Sequence, residues 1–314
     1  MKESRIEKAG KVHIKRKILA RWQLYLMLAV PVLLIFVFSY LPMGGLVIAF
    51  KKYNYRDGVW GSPWVGLAQF KKFLSSSKFW VVMKNTLVIS SYSMLVRFPI
   101  PILFALFLNA LPRERYKKLI QTVTYIPHFI STVVMVGLLY QILDFRTGIY
   151  GNLYALITNE TAPNLMEKGS NFVHMYVWSS VWQSTGYSAV IYIAALAGID
   201  PSLHEAATID GASRLQRIRH IDFPGILPTA SIMLILKLGD LLSVGMEKVL
   251  LMQNSLNLSY SEVISTYVYK VGLASGITDF SYSSAIGMFN SVINFILLIA
   301  ADRGSKKLSG SGLF

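Results

Sequence analysis

Two groups of residues have types and spacings that could do chemical or mechanical work. The first is Glu205-Ala206-Ala207, then Gly211, then Ile221 and Pro224, on a polar segment between two strongly apolar runs. Asp200 suits a helix N-cap, Pro201 the first helical position and Gly211 the C-terminal stop. About ten residues fit between them, or roughly 15 Å of helix. Leu203, Ala206, Ala207 and Asp210 fall at i, i+3, i+4 and i+7, so one face is small-sided and lets another protein approach closely. A capped helix too polar to enter a membrane, held by an apolar run on each side, is a docking peg.

The second group lies inside or beside apolar runs. An ionisable side chain within a membrane span costs roughly 2.5–3.5 kcal/mol at the helix centre on insertion scales, which marks it as a functional candidate. Lys237 and Asp240 are such residues; at i, i+3 they share a face and are expected to pair, either as helix glue or as a polar wall of a path. Trp178, Trp182, Gln183 and Tyr187 sit on the preceding run. Aromatic rings stack on the apolar faces of sugars while polar side chains take the hydroxyls; the two tryptophans would serve equally as interfacial anchors. Arg97, and Asn290 with Asn294 at i, i+4, complete the polar set. Asparagines in spans are expected to join helices more than to touch ligand.

Covalent chemistry is not indicated. There is no Gly-x-x-x-x-Gly-Lys-Ser/Thr loop for nucleotide phosphates, no His-Glu-x-x-His and no Gly-x-Ser-x-Gly. The five histidines are scattered, so no metal site is expected, and His128 beside Pro127 reads as a packing residue near a helix break. With no cysteine, disulfides and thiolate sites are excluded.

These residues must be positioned by membrane helices. The chain is 54% hydrophobic and 15% charged with mean hydropathy +0.48, against about 25% charged in a soluble domain. Six apolar runs read as spans, near 23–50, 82–111, 119–143, 172–198, 226–246 and 282–301. The first is too long for a signal-peptide core and is expected to be retained. The net charge of +15 does not point to nucleic acid, because 18 of the 31 basic residues fall on one set of alternate segments and 11 on the other. That bias favours cytoplasmic N- and C-termini with the Glu205 segment on the same side. Residues 1–21 are expected to be a basic arm on the inner leaflet, and 303–314 a cytoplasmic tail. Residues 22–302 then form one membrane domain with a connecting loop at 199–225. Segment 51–81 reads as an aromatic interfacial belt, and 144–171 and 247–281 as outer loops long enough for short helices.

The spacing Glu205-Ala206-Ala207, three residues, Gly211, nine residues, then Ile221-Asp222-Phe223-Pro224 resembles the EAA loop of ABC importer permeases, with Phe223 in place of the usual Leu. Gln121-Thr122-Val123-Thr124-Tyr125-Ile126-Pro127-His128-Phe129, Asp210-Gly211-Ala212 and Ala285-Ile286-Gly287-Met288-Phe289-Asn290-Ser291 look like the MalF-like, polysaccharide or oligosaccharide branch of that family. The resemblance implies an all-α polytopic protein of the bacterial inner membrane, with six transmembrane helices and a cytoplasmic coupling helix between spans four and five. It implies a second permease subunit, two ATPase subunits that use ATP and Mg, and an extracytoplasmic solute-binding protein, with no cofactor on this chain itself. It implies that Glu205 pairs with a basic residue of the ATPase, and that the sugar site lies near Tyr187 between the fourth and fifth spans. Arg97, Lys237 and the basic segment 51–81 would suit an acidic oligosaccharide such as a uronate chain. A peptide, amino-acid or polyamine permease fits the EAA loop equally, and an ion-coupled secondary transporter would require inverted repeats, of which the sequence has none.

Overall fold

The computed structural model describes residues 20–274, 276 and 278–309, so the basic arm lies outside the described residues except at its last two positions. The chain divides into two compact units, 1–67 and 68–314. In the first, α1 (Trp22–Ile35) runs on through a π turn (Phe36–Tyr40) and a 3₁₀ stretch (Leu41–Phe50), giving 29 residues that include an 18-residue stretch of mean hydropathy 2.5. Pro31 and Pro42 remove two backbone donors from this run, and local π and 3₁₀ adjustment is the usual response. Beyond the short α2 (Gly58–Gly61), the Lys51 ammonium is buried and donates to the carbonyls of Val59 (3.0 Å) and Trp60 (2.7 Å), so this cation closes its own loop.

The second unit holds α3 (Ala68–Leu74), α4 (Ser77–Arg97) and α5 (Pro99–Asn109), the last two making one 33-residue apolar helix, Ser77–Asn109. α6 (Glu114–Tyr125) and a 3₁₀ turn (Ile126–Phe129) then meet α7 (Thr132–Leu143) at 101°. The run expected to be straight over 119–143 is therefore broken. Ile130 is extended, and Ser131 begins α7 as its N-cap by accepting from the Val134 N–H at 3.4 Å. α8 (Ile149–Thr158) leads to the 27-residue α9 (Asn171–Ala197). α10 (Pro201–Ile209) leaves α9 at 74°.

α11 (Arg214–Arg217), a π turn (Ile218–Asp222) and α12 (Phe223–Gly239) form one helix, Arg214–Gly239. Its limits differ from the expected 226–246 at both ends. At the start, Pro224 has no N–H and its ring crowds the preceding turn, which the helix absorbs by widening into the π turn. At the finish, Gly239 and the turn at 240–245 stop it. α13 (Met246–Met252), α14 (Leu258–Ser261) and α15 (Ile264–Tyr269) then fold inward before α16 (Phe280–Ser309). The expected short helices are present in 247–281, and Val249, Asn257, Ser261, Val263, Ile264 and Thr266 among its described residues are buried. Among the described residues, four helices are long and apolar enough to cross a membrane, or up to six if each bent pair is one span.

Three apolar clusters hold the second unit. One joins Ile89, Val136, Phe172, Val177, Val249 and Met252; another joins Ile102, Ala105, Ala189, Leu196 and Ile226; the third joins Phe73, Val82, Ile264, Tyr282 and Ile286. The first cluster shares α4 and α9 with the larger cavity, and the second ties α5, α9 and α12 together beside α10. The site geometry therefore rests on packed helix faces.

Candidate functional site

A cavity of about 680 Å³ opens between α4, α9, α12 and α13. Two polar stripes line it: Ser90, Ser93 and Arg97 on α4, at i, i+3, i+7, and Tyr176, Ser180, Gln183 and Ser184 on α9, at i, i+4, i+7, i+8. Lys237 and Asp240 close one side, and Glu247 and Lys248 another. The Arg97 guanidinium donates to Ser184 Oγ at 3.3 Å, while its Nε is buried without a hydrogen-bond partner. Lys248 is buried; its Nζ donates to Ser180 Oγ at 2.6 Å and the Tyr176 carbonyl at 3.3 Å, and lies 5.1 Å from the Tyr176 ring centroid. Burial first, and the Arg97 charge second, pull the Lys248 ammonium down to about 7.

Arg97, Lys237 and Lys248 form no ion pair among the described residues. Asp240, expected to pair with Lys237, does not do so: α12 ends at Gly239, and Asp240 takes the C-cap conformation (φ −103°, ψ 16°) off the helical i, i+3 geometry. The exposed Asp240 and Glu247 thus share the cavity with three cations they do not neutralise pairwise. Asn294 builds the adjoining wall, its Oδ1 accepting from the Leu242 N–H and its Nδ2 donating to Ser243 Oγ, both at 3.0 Å. Asn290 Oδ1 is buried and unpartnered, away from the cavity lining.

Of the other residues singled out in the sequence, Gln183 lines the cavity, and its Nε2 also donates to the Ile130 carbonyl at 3.0 Å, at the break between α6 and α7. Tyr187 lies outside the lining, half exposed, its ring stacked on His128 with centroids 3.9 Å apart and planes 3° apart. Trp178 donates to the Tyr92 hydroxyl at 2.9 Å; it and Trp182 are more than half exposed and lie outside the lining. The stripes on α4 and α9 were the signal available in the sequence for the serines and Tyr176, as polar residues at helical spacing within apolar runs. Lys248 carried no such signal, since its burial depends on the insert folding back.

The Glu205 segment is a short helix with strong ends. Asp200 is the N-cap of α10 and accepts from the Ser202 N–H at 3.0 Å, with Pro201 in the first turn. At the far end the Ala212 N–H reaches the Ala207 carbonyl (2.8 Å) and the Gly211 N–H the Thr208 carbonyl (3.1 Å). This is a Schellman closure, which needs a left-handed residue at its turn; Gly211 supplies it with φ +76°. Ser213 and Gln216 then form a capping box that starts the next helix. Glu205, Ala206 and Asp210 are exposed, Ala207 and Ile221 half-buried and Pro224 exposed. Glu205 makes no ion pair among the described residues. Leu203, Ile209 and Leu215 are 52%, 86% and 69% exposed, so the segment presents apolar side chains as well as an unpaired carboxylate.

Residues 97–310 match the family model described as "Binding-protein-dependent transport system inner membrane component". Protein LplB of Bacillus subtilis (strain 168) is 40% identical over 94% of this chain and 91% of its own length. The polygalacturonan/rhamnogalacturonan transport system permease protein YteP of the same organism is 39% identical over 95% and 92%. Two crystal structures of a bacterial ABC transporter that imports the acidic polysaccharide alginate, one in complex with an alginate pentasaccharide-bound periplasmic protein, contain a chain that superposes with TM-score 0.85. That chain is 34% identical, over 95% of this chain and 99% of its own.

Proposed function

The chain belongs to the family of binding-protein-dependent transport system inner membrane components, and is a transport permease of the inner membrane rather than an enzyme; from that premise we propose that its cargo is a carboxylated oligosaccharide. The observation that carries this reading is the set of three cations, Arg97, Lys237 and Lys248, around one cavity without ion-pair partners. Lys248 is buried, Arg97 half-buried and Lys237 exposed; an unpaired charge held even partly out of water is costly, and a uronate carboxylate entering the cavity would offset that cost. The serines and Gln183 supply donors and acceptors for hydroxyls. The naming of YteP for polygalacturonan and of the superposing importer for alginate supports the same class.

In this reading an extracytoplasmic receptor delivers the oligosaccharide, a second permease subunit completes the path, and two partner ATPases bind ATP and Mg and close on α10. Both termini and α10 face the cytoplasm. The cavity then alternates between the two sides as the helices move as rigid bodies. The test is uptake by the reconstituted complete importer in proteoliposomes, comparing an oligogalacturonate with a neutral oligosaccharide of equal length. Arg97→Ala and Lys237→Ala should each lower acidic-sugar uptake about tenfold or more, the value of one charge-assisted hydrogen bond. Neutral-sugar uptake should change little; equal loss for both sugars would overturn the assignment of cargo.

Lys248 adds a pH dependence. A lysine is charged below its pKa, so with a value of about 7 it attracts a carboxylate below that pH and does so less above it. Uptake of the acidic sugar should therefore decline as pH rises through about 7, and Lys248→Met should flatten the profile. A wild-type profile already flat between pH ~6 and ~8 would show that this side chain does not set cargo affinity.

A further inference from the structure

Outside the cavity, a cluster of polar contacts lies where α10 meets the spanning helices. Its centre is Asp222, 3% exposed, on the π turn that opens the Arg214–Gly239 helix. Its Oδ1 lies 3.3 Å from His204 Nε2 on α10, and accepts from Asn109 Nδ2, at the end of α5, at 3.3 Å. Asn109 Oδ1 in turn accepts from Lys117 Nζ on α6 at 3.4 Å. One buried carboxylate, on the turn that continues into α12, thus touches α10 and α5 and reaches α6 through one intermediary. A second tie, from Arg217 Nη1 to Thr208 Oγ1 at 3.0 Å, joins α11 back to α10. Around these groups is a second cavity of about 360 Å³, which Arg217 also lines with its buried Nε unpartnered, so the cluster is held by directed bonds rather than by close packing.

We infer that Asp222 is a positioning residue, the joint through which displacement of α10 is transmitted to the spanning helices. The reasoning is mechanical. α10 has no buried residue of its own, so apolar packing does not fix it to the unit. Its covalent connections are the 74° bend after α9 and the Gly211 turn, so at neither end does it continue as straight helix into a span. Motion of α10 would be absorbed there unless a stiff contact bypassed them, and the His204–Asp222–Asn109 contact is that bypass. Its location on a π turn, where one helical turn is widened, puts the carboxylate between helices that a regular turn would not bridge. The adjoining cavity leaves room for the carboxylate to exchange partners as the helices move.

The inference rests on the reading of this chain as the permease of an ATP-driven importer, and the wild-type control checks that reading separately: ATP-dependent uptake must be present before any variant is compared. In the reconstituted complete importer, cargo uptake and ATP hydrolysis are measured together. Asp222→Ala should leave complex yield and receptor-free hydrolysis near wild type while uptake per ATP falls roughly tenfold, within the about 5- to 150-fold span of site-to-site coupling. Asp222→Asn keeps an acceptor for Asn109 and His204 and should recover much of the ratio, and His204→Gln should lower it in the same sense as Asp222→Ala. If Asp222→Ala fails to assemble, His204→Gln, at a half-buried position on α10, carries the test. An unchanged uptake-to-ATP ratio in the assembled variants would overturn the inference. So would a loss of complex yield in all three, which would make the cluster a folding element only.

Discussion

Replacing Glu205 by alanine is expected to cut uptake by the assembled importer at least about thirtyfold, the equivalent of about 2 kcal/mol at a buried charge pair. Membrane insertion and thermal unfolding of the chain should be unaffected. Nothing in the fold rests on this carboxylate: it is exposed and forms no ion pair among the described residues. The caps that hold α10 are Asp200 and the Gly211 closure, neither of which uses Glu205. Its loss is therefore felt only when a partner covers the helix, where an ATPase cation would be left buried and unpaired. Ile209, one turn on at i+4 from Glu205 and 86% exposed, would be covered with it and help exclude water from that contact. The measurement is co-purification of the ATPase subunits with the variant, followed by uptake in proteoliposomes. Wild-type yield and uptake would remove Glu205 from the coupling contact. Unfolding of the isolated chain would show that the side chain has a structural duty the geometry does not suggest.

The peg was legible in the sequence because its determinants are local. Asp200, Pro201 and Gly211 act within four residues of the bonds they make, so type and spacing suffice. The apolar runs were legible for the same reason, as composition over some twenty residues. What could not be read depends on partners far along the chain. The break at Ile130 is held by Gln183, 53 residues away. The insert between α12 and α16 reads in the sequence as an outer loop, yet α4 takes up several of its polar groups. Asn85 donates to the Ser259 and Glu262 carbonyls, and Lys78 pairs with the buried Glu262 carboxylate at 2.6 Å. Lys248 became a cavity residue only because that insert folds inward. Lys237 and Asp240 were expected to lie mid-span in the fifth run and to pair; both expectations assumed a helix continuing to 246, and Gly239 terminates it.

The cavity and the peg are linked by α9, and the second large effect is expected there. Gly186→Ala should destabilise the chain by about 3 kcal/mol or more, the upper part of the range for overpacking. Helices in membranes approach most closely through small residues, and Gly186 is buried against α6. A methyl there would overlap the Thr124 carbonyl oxygen and stand 2.6 Å from its carbon. Both are backbone atoms, so no side chain can rotate to relieve the contact and the helices must part. The parting also breaks what flanks it: Gln183 would lose the Ile130 carbonyl, and Tyr187 its stack on His128. Gln183 and Ser184 would move with the cavity wall, so uptake should fall together with stability. Thermal unfolding of the purified importer and its monodisperse recovery measure the first effect, and proteoliposome uptake the second. Gly304→Ala on α16 is the matched control, since a methyl there meets nothing within 4 Å. It should be neutral or slightly stabilising, as expected for alanine over glycine within a helix. A Gly186→Ala importer that remained monodisperse and transported normally would mean that α9 and α6 separate without cost, and that the break at Ile130 is held by something other than α9.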